Sequence, residues 1–241
     1  MSTELAPIGV LAEGPGGRSV VEAIARALPC EDVMLLADGA YAPYAAKHPR
    51  VVSDRTQRLV DDLVGRGVKL IVLASLQAHA DASAALRAGV PVIDLRAPVR
   101  EAVPLCGGKP IAVVVAGGTI RGRQLQLALR PARSPAGLQI QEWRGLRELV
   151  DAGADARSLV ELGVASLREA GAGAIALADV WGAAVASLVD LPSADCATVA
   201  AARVRATLLA AGLLARRRRA GHHGLSISTD PTGAAVSRAT S

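Results

Sequence analysis

The stretch Ile8-Gly9-Val10-Leu11-Ala12-Glu13-Gly14-Pro15-Gly16-Gly17-Arg18-Ser19-Val20 sets the reading of the whole chain. Five apolar residues without polar alternation describe a strand buried on both faces of a parallel sheet. A glycine-rich turn follows, and residues 19–28 then show the spacing of an amphipathic helix. The same strand-then-helix unit recurs along the chain. Apolar runs at 33–37, 70–74, 92–95, 111–115 and 174–178 alternate with helical patterns at 51–66, 78–88, 146–150, 156–170 and 197–215. Such alternation predicts an α/β fold with right-handed crossovers.

The 241 residues suit one large domain or two small ones, and 51% hydrophobic content excludes a disordered chain. No apolar run approaches the roughly 18–20 residues needed to span a bilayer. The opening MSTELAPIGVLAEG has no basic segment and no small-residue cleavage site, so no secretory leader is expected. Cys30, Cys106 and Cys196 are widely spaced and odd in number. That argues against a disulfide framework and for a reducing cytoplasm. Aromatic residues make up 2% of the chain, too few for the stacking platforms of single-stranded nucleic-acid binders. Part of the net charge of +5 lies in four consecutive arginines at 216–219, which read as a helix-end cap rather than a nucleic-acid surface. His222 and His223 beside them lack a third ligand, so no metal is expected, and no cofactor is implied.

A composition break between Arg121 and Gly145, with a loop at 130–137, divides the chain into two lobes. Ligands of open α/β sheets bind beyond the carboxyl ends of the strands, so the residues just after each strand carry the functional information. Those residues are Glu13 and the glycine turn, then Asp38 to Tyr44, then Ser75 to His79, then Asp179 to Trp181. The glycine turn lacks the G-x-G-x-x-G spacing of a dinucleotide site and reads first as a tight strand-to-helix turn. Ser75 and His79 stand four apart, but no third group is evident to orient the imidazole as a nucleophile's base.

Several ordered motifs resemble the glutamate racemases of the aspartate/glutamate racemase superfamily. Gly14-x-Gly16-Gly17 with Ser19-Val20 is similar to the family's opening turn, and Ala42-Pro43-Tyr44 to its second segment. Residues 67–74 resemble the strand that delivers its first catalytic cysteine. Gly118-Thr119-Ile120 resembles its mid-chain threonine turn, and residues 225–231 its last strand. The resemblance implies two flavodoxin-like lobes with parallel sheets, residues 1–97 plus 209–241 and residues 98–208, with a ligand cleft between them.

The family's chemistry uses two cysteines as acid/base groups on opposite faces of the substrate's α-carbon. The first stands in Cys-Asn-Thr, where this chain has Ser75-Leu76-Gln77; the second stands in Gly-Cys-Thr-His, where it has Ala178-Asp179-Val180-Trp181. The opening Asp-Ser reads Ala12-Glu13. A serine hydroxyl is essentially never ionised near neutral pH, unlike a thiol with a pKa of about 8.5. Glutamate racemisation is therefore not expected. The first reading is a repurposed, cofactor-independent acid/base enzyme of isomerase, lyase or cyclase type. Glu13, Asp179 and Ser75 would be its catalytic groups, acting on a neutral or cationic small molecule. Pro43, Tyr44, Gln77, His79, Thr119 and Trp181 would line its inter-lobe cleft. The alternative is a non-catalytic binding or regulatory module on the same fold. A homodimer is compatible with either; a membrane partner is not expected.

Overall fold

The computed structural model describes residues 3–82, 85–95, 98–118, 136–215, 223–229 and 235–238, the last two segments as backbone. Two sheets carry the fold. β1 (Ile8–Ala12), β2 (Val33–Ala37), β3 (Leu70–Leu73), β4 (Val92–Asp94), β9 (His223–Thr229) and β10 (Ala235–Arg238) form one sheet in the order β10-β9-β2-β1-β3-β4. Its pairs are parallel except β9 with β10. The second sheet is wholly parallel: β5 (Ile111–Ala116), β6 (Leu138–Trp143), β7 (Ala174–Leu177) and β8 (Ser193–Asp195) in the order β6-β5-β7-β8. The helices are α1 (Arg18–Ala27), α2 (Pro49–Gly65), α3 (Leu76–Ala82), α4 (Val99–Ala102), α5 (Leu146–Asp151), α6 (Arg157–Glu169), α7 (Val180–Ala184) and α8 (Cys196–Ala210). The expected pair of parallel-sheet α/β lobes is present.

The strand period of two distributes the central strands of the first sheet between two apolar cores. Ile8, Val10 and Ala12 of β1 enter the larger core, which takes in α1 and continues into the second sheet and α8. Leu11 joins Leu36, Ile71 and Leu73 in a second core beneath α2, against Val52, Leu59, Val60 and Leu63. The larger core is shared by both lobes, so their relative placement is itself held by buried apolar surface.

β6 and β8 were not anticipated from the apolar runs, for a physical reason. β6 is an edge strand in which Gln139, Gln141 and Glu142 interrupt the apolar residues, and β8 has three residues, all half-buried. Edge strands need no continuous apolar run because one side faces solvent. α8 ends at Ala210 instead of continuing to 215, since Gly212 takes a left-handed φ of 67° that stops the helix. The arginine run at 216–219, His222 and Thr119 lie outside the described residues.

A buried ion pair ties the crossover back into the first sheet. Lys69 Nζ lies 2.6 Å from Glu31 Oε2, with both side chains buried, and also donates to the carbonyls of Glu4 and Leu213 at 2.6 and 2.8 Å. Glu31 Oε1 accepts the Ala215 N–H at 2.7 Å. One lysine thus joins the N-terminal segment, the start of β3 and the chain leaving α8, which lies on the route to β9.

Candidate functional site

The carboxyl ends of β1, β3 and β7 converge where the lobes meet. Glu13 follows β1 and is 2% exposed. Its Oε2 accepts the Tyr44 N–H at 2.9 Å and its Oε1 accepts the Ser75 hydroxyl at 3.2 Å. Ser75 precedes α3, and its Oγ accepts the Ala78 N–H at 3.1 Å, so the serine caps its helix while donating to Glu13. Burial is the largest influence on Glu13 and raises its pKa above the ordinary carboxyl value. The Tyr44 N–H, the Arg147 charge and Ser75 partly oppose this, and the Asp179 charge adds to it.

Asp179 follows β7 and is 3% exposed. It caps α7 through Oδ1, which accepts the Gly182 N–H at 2.8 Å, while Oδ2 accepts the Ala116 N–H at 2.6 Å from the end of β5. Asp179 therefore fastens α7 to the neighbouring strand. The Cys196 thiol, which feels the Asp179 charge, is fully buried, and that burial pushes its pKa well above the usual thiol range.

Trp181 closes the seam between the lobes. It is 1% exposed, donates from Nε1 to Asp151 Oδ1 at 2.8 Å, and carries the Arg147 guanidinium 5.0 Å from its ring centre. Its other side rests on the glycine turn of the first lobe, where a Cβ on Gly16 would fall 2.8 Å from Nε1 and 3.0 Å from Cε2. Ser19 adds a cross-lobe contact, its Oγ 2.9 Å from the Val180 carbonyl as well as from that of Gly16. The glycine turn is thus a flat seat for an indole. Arg147 and Asp151, which hold that indole, were not singled out in the sequence; their i, i+4 spacing in α5 was the available signal.

The remaining candidates are placed as follows. Tyr44 offers its backbone N–H to Glu13, but its side chain is buried in the second core and its hydroxyl donates to Asp38 Oδ2 at 2.7 Å. Arg55 forks onto the same Asp38 at 2.9 and 2.6 Å. Burial, followed by the Asp38 charge, lifts the Tyr44 phenol well above its usual range. Pro43 is half-buried beside it. Gln77 is buried and donates to Asp81 Oδ2 at 2.6 Å along α3. His79 Nδ1 lies 3.1 Å from Asp94 Oδ2, and Arg203 of α8 donates to Asp94 Oδ1 at 2.8 Å. Cavities of about 530, 300 and 250 Å3 among the described residues are lined by residues other than Glu13, Ser75 and Asp179. Among the described residues no group of three or more His, Cys, Asp or Glu could hold a metal ion. No helix among them is long and apolar enough to cross a membrane.

No family model matches the chain. A glutamate racemase of Pseudomonas aeruginosa is 32% identical over 178 residues, covering 71% of this chain and 67% of that protein. The chain belongs to the glutamate racemase family. Another relative, the glutamate racemase of Deinococcus radiodurans, is 38% identical over 179 residues. The match to it spans 62% of its length, and that to the Ralstonia pickettii glutamate racemase 53%, less than two thirds in both. Among solved structures, a glutamate racemase isoform of Bacillus anthracis superposes with a TM-score of 0.75 at 22% identity, covering 94% of this chain and 88% of its own. The Thermus thermophilus glutamate racemase, in complex with β-chloro-D-alanine, superposes with a TM-score of 0.70 at 25% identity, covering 95% of this chain and 90% of its own. This racemase-family chain thus has the fold of relatives whose structures hold small molecules.

Proposed function

We propose that this member of the glutamate racemase family does not interconvert glutamate enantiomers and serves as a non-catalytic binding or regulatory module with a closed inter-lobe joint. One observation carries the reading. The oxygens of Glu13 and Asp179 accept from donors of the protein itself: Tyr44 N–H, Ser75 hydroxyl, Gly182 N–H and Ala116 N–H. Racemisation at a carbon acid needs a base on one face and an acid on the other. The two positions that the family resemblance assigns to thiols hold Ser75 and Asp179, and Cys196 nearby is kept protonated by burial. A hydroxyl hydrogen-bonded to a carboxyl of raised pKa is a poor base, and Asp179 is occupied in fastening α7 to β5.

A second reading, the repurposed acid/base enzyme, draws on the raised pKa of Glu13. A buried carboxyl that titrates nearer neutrality is suited to accept or donate one proton. It would act on a neutral or cationic molecule, because the seam already concentrates acidic groups.

The test is hydrogen–deuterium exchange at Cα of L- and D-glutamate in D2O, followed by proton NMR with the purified chain. The expected result is loss of the Cα proton signal no faster than in buffer. Exchange that exceeds buffer and disappears in Asp179→Ala would overturn the proposal and return the protein to proton-transfer catalysis.

A further inference from the structure

The chain passes between the two sheets twice, and one carboxyl stands at both passages. Asp94 ends β4, the last strand of the first sheet before the chain runs through α4 to β5 of the second. α8 takes the chain from β8 of the second sheet back toward β9 of the first. Arg203, in the middle of α8, donates from Nη1 to the Asp94 carbonyl and, at 2.8 Å, to its Oδ1. The other carboxyl oxygen, Oδ2, lies 3.1 Å from His79 Nδ1 on α3. The carboxyl is thus shared between a cation of fixed charge and an imidazole whose charge depends on pH.

Two features give this sharing a consequence. The first is shielding. The Asp94 side chain is 13% exposed and His79 Nδ1 is closed off from solvent, so their interaction is screened less than that of a surface pair. The second is what α3 carries. The His79 N–H donates to the Ser75 carbonyl at 3.0 Å, and Ser75 heads the same helix with its hydroxyl on Glu13. His79 therefore sits about one helical turn from the inter-lobe contact. The other charged groups around α3 are directed elsewhere. On α3 itself Asp81 accepts from Gln77; on α2, Arg55 forks onto Asp38, Asp61 accepts from Gln57, and Asp54 borders residues 85–87 beyond the helix. Next to the turn at 44–46, Lys47 lies over the Tyr41 ring. Among the described residues, the imidazole thus faces Asp94, which favours its charged form, and behind it Arg203, which opposes that form. The carboxylate is the nearer of the two and lies between the cations, so its attraction prevails.

We propose that His79 is a pH-sensitive latch: charged, it draws Asp94 into an ion pair that fastens α3 to β4 and α8, and neutral, it leaves Asp94 to Arg203. This goes beyond the binding-module reading and does not depend on it. The folded chain then holds the imidazole proton more firmly than the unfolded one. The latch contributes stability that is full below the ordinary histidine value and is lost as pH rises through the folded one. The Ser75 end of α3 is held most firmly in mild acid.

Proton NMR of the full chain tests this, because His48, His79, His222 and His223 are its only imidazoles and His79→Gln identifies the signal of His79. Its titration midpoint is expected above the ordinary value of about 6.5. Asp94→Asn should lower that midpoint and Arg203→Gln should raise it, opposite shifts that a general loosening would not produce. In urea unfolding, the advantage of wild type over His79→Gln should be present at about pH 5.5 and lost by about pH 8. Glu13 titrates in both proteins, so the difference between them isolates His79. In a Trp143→Phe background, Trp181 emission should change at the His79 midpoint, and that component should vanish in His79→Gln. A His79 midpoint that Asp94→Asn leaves in place overturns the latch, as does an emission change at that midpoint that survives His79→Gln. Should Asp94→Asn fail to fold, the upward shift in Arg203→Gln decides alone, and its absence overturns the latch.

Discussion

Gly16→Ala separates two accounts of the glycine turn by sign. Gly16 does not have the left-handed φ that favours glycine, so alanine can adopt its backbone. If nothing crowded the position, the change would stabilise the protein by about 0.4–1 kcal/mol through the unfolded chain. The structure predicts the reverse. The added Cβ would sit 2.8 Å from Trp181 Nε1, 3.0 Å from Cε2 and 3.0 Å from Val180 Cγ2, closer than van der Waals contact allows. The indole cannot swing aside cheaply, because Asp151 holds its N–H and Arg147 lies on its face. Overpacking of this kind costs about 1–3 kcal/mol, which in a chain of this size lowers the unfolding midpoint by roughly 2–12 °C. Urea unfolding followed by circular dichroism measures the change. Tryptophan emission in a Trp143→Phe background reports Trp181 alone, and a red shift is expected as the seam loosens. Combining Gly16→Ala with Trp181→Leu should recover about 1 kcal/mol or more relative to additivity. A Gly16→Ala protein as stable as wild type, with unchanged emission, would refute the seat between lobes.

Two further predictions concern buried charge. Glu13 has a raised folded pKa, so the folded state holds its proton over a range in which the unfolded chain has released it. Stability from this group is therefore full below the unfolded carboxyl value and is lost as pH rises through the folded one. Glu13→Gln removes that loss, and the difference in melting temperature between variant and wild type should move in the variant's favour from acid to neutral pH; parallel profiles would contradict it. Lys69→Met orphans the Glu31 carboxylate and two carbonyls, and should cost about 3–5 kcal/mol in urea unfolding. The double change Lys69→Met with Glu31→Leu should be milder than the single one; a single variant within 1 kcal/mol of wild type would show the clamp to be dispensable.

The parallel strands were legible because they are buried on both faces, and such burial demands the uninterrupted apolar runs seen at Ile8–Ala12 and Val33–Ala37. β6 escaped because an edge strand can carry Gln139 and Gln141. The positions of Glu13, Ser75 and Asp179 followed from strand ends alone, but their partners did not. Asp179 meets the Ala116 N–H across 63 residues of sequence and Glu13 meets Ser75 across 62, separations that no local periodicity encodes. Tyr44 shows the same limit within one residue, its N–H reaching Glu13 while its side chain turns to Asp38 in the other core. Gln77 and His79 had partners near in chain or sheet, Asp81 and Asp94, which the spacing alone does not distinguish from a ligand-facing role.

The residues at the carboxyl ends of β1, β3 and β7 form a mutually satisfied set, and this bears on what any ligand must do. Loss of function without replacement leaves buried donors and acceptors unpaired, at about 1–3 kcal/mol each. Here Glu13 takes the Tyr44 N–H and the Ser75 hydroxyl, Asp179 takes two backbone N–H groups, and Trp181 is held by Asp151 and seated on Gly16. Glu13 thus acts as a tethered internal ligand for the donors of the first lobe. A tether presents its group at an effective concentration of millimolar or above, so a free carboxylate must outcompete it at that level and also part the indole from its seat. A cation or a neutral donor avoids that competition, because it can bind to the carboxyls instead of displacing them. On the proposed reading, a ligand of this seam would therefore be a cation or a neutral donor. Ser75→Cys alone would leave it so, since the competing carboxyl of Glu13 stays in place.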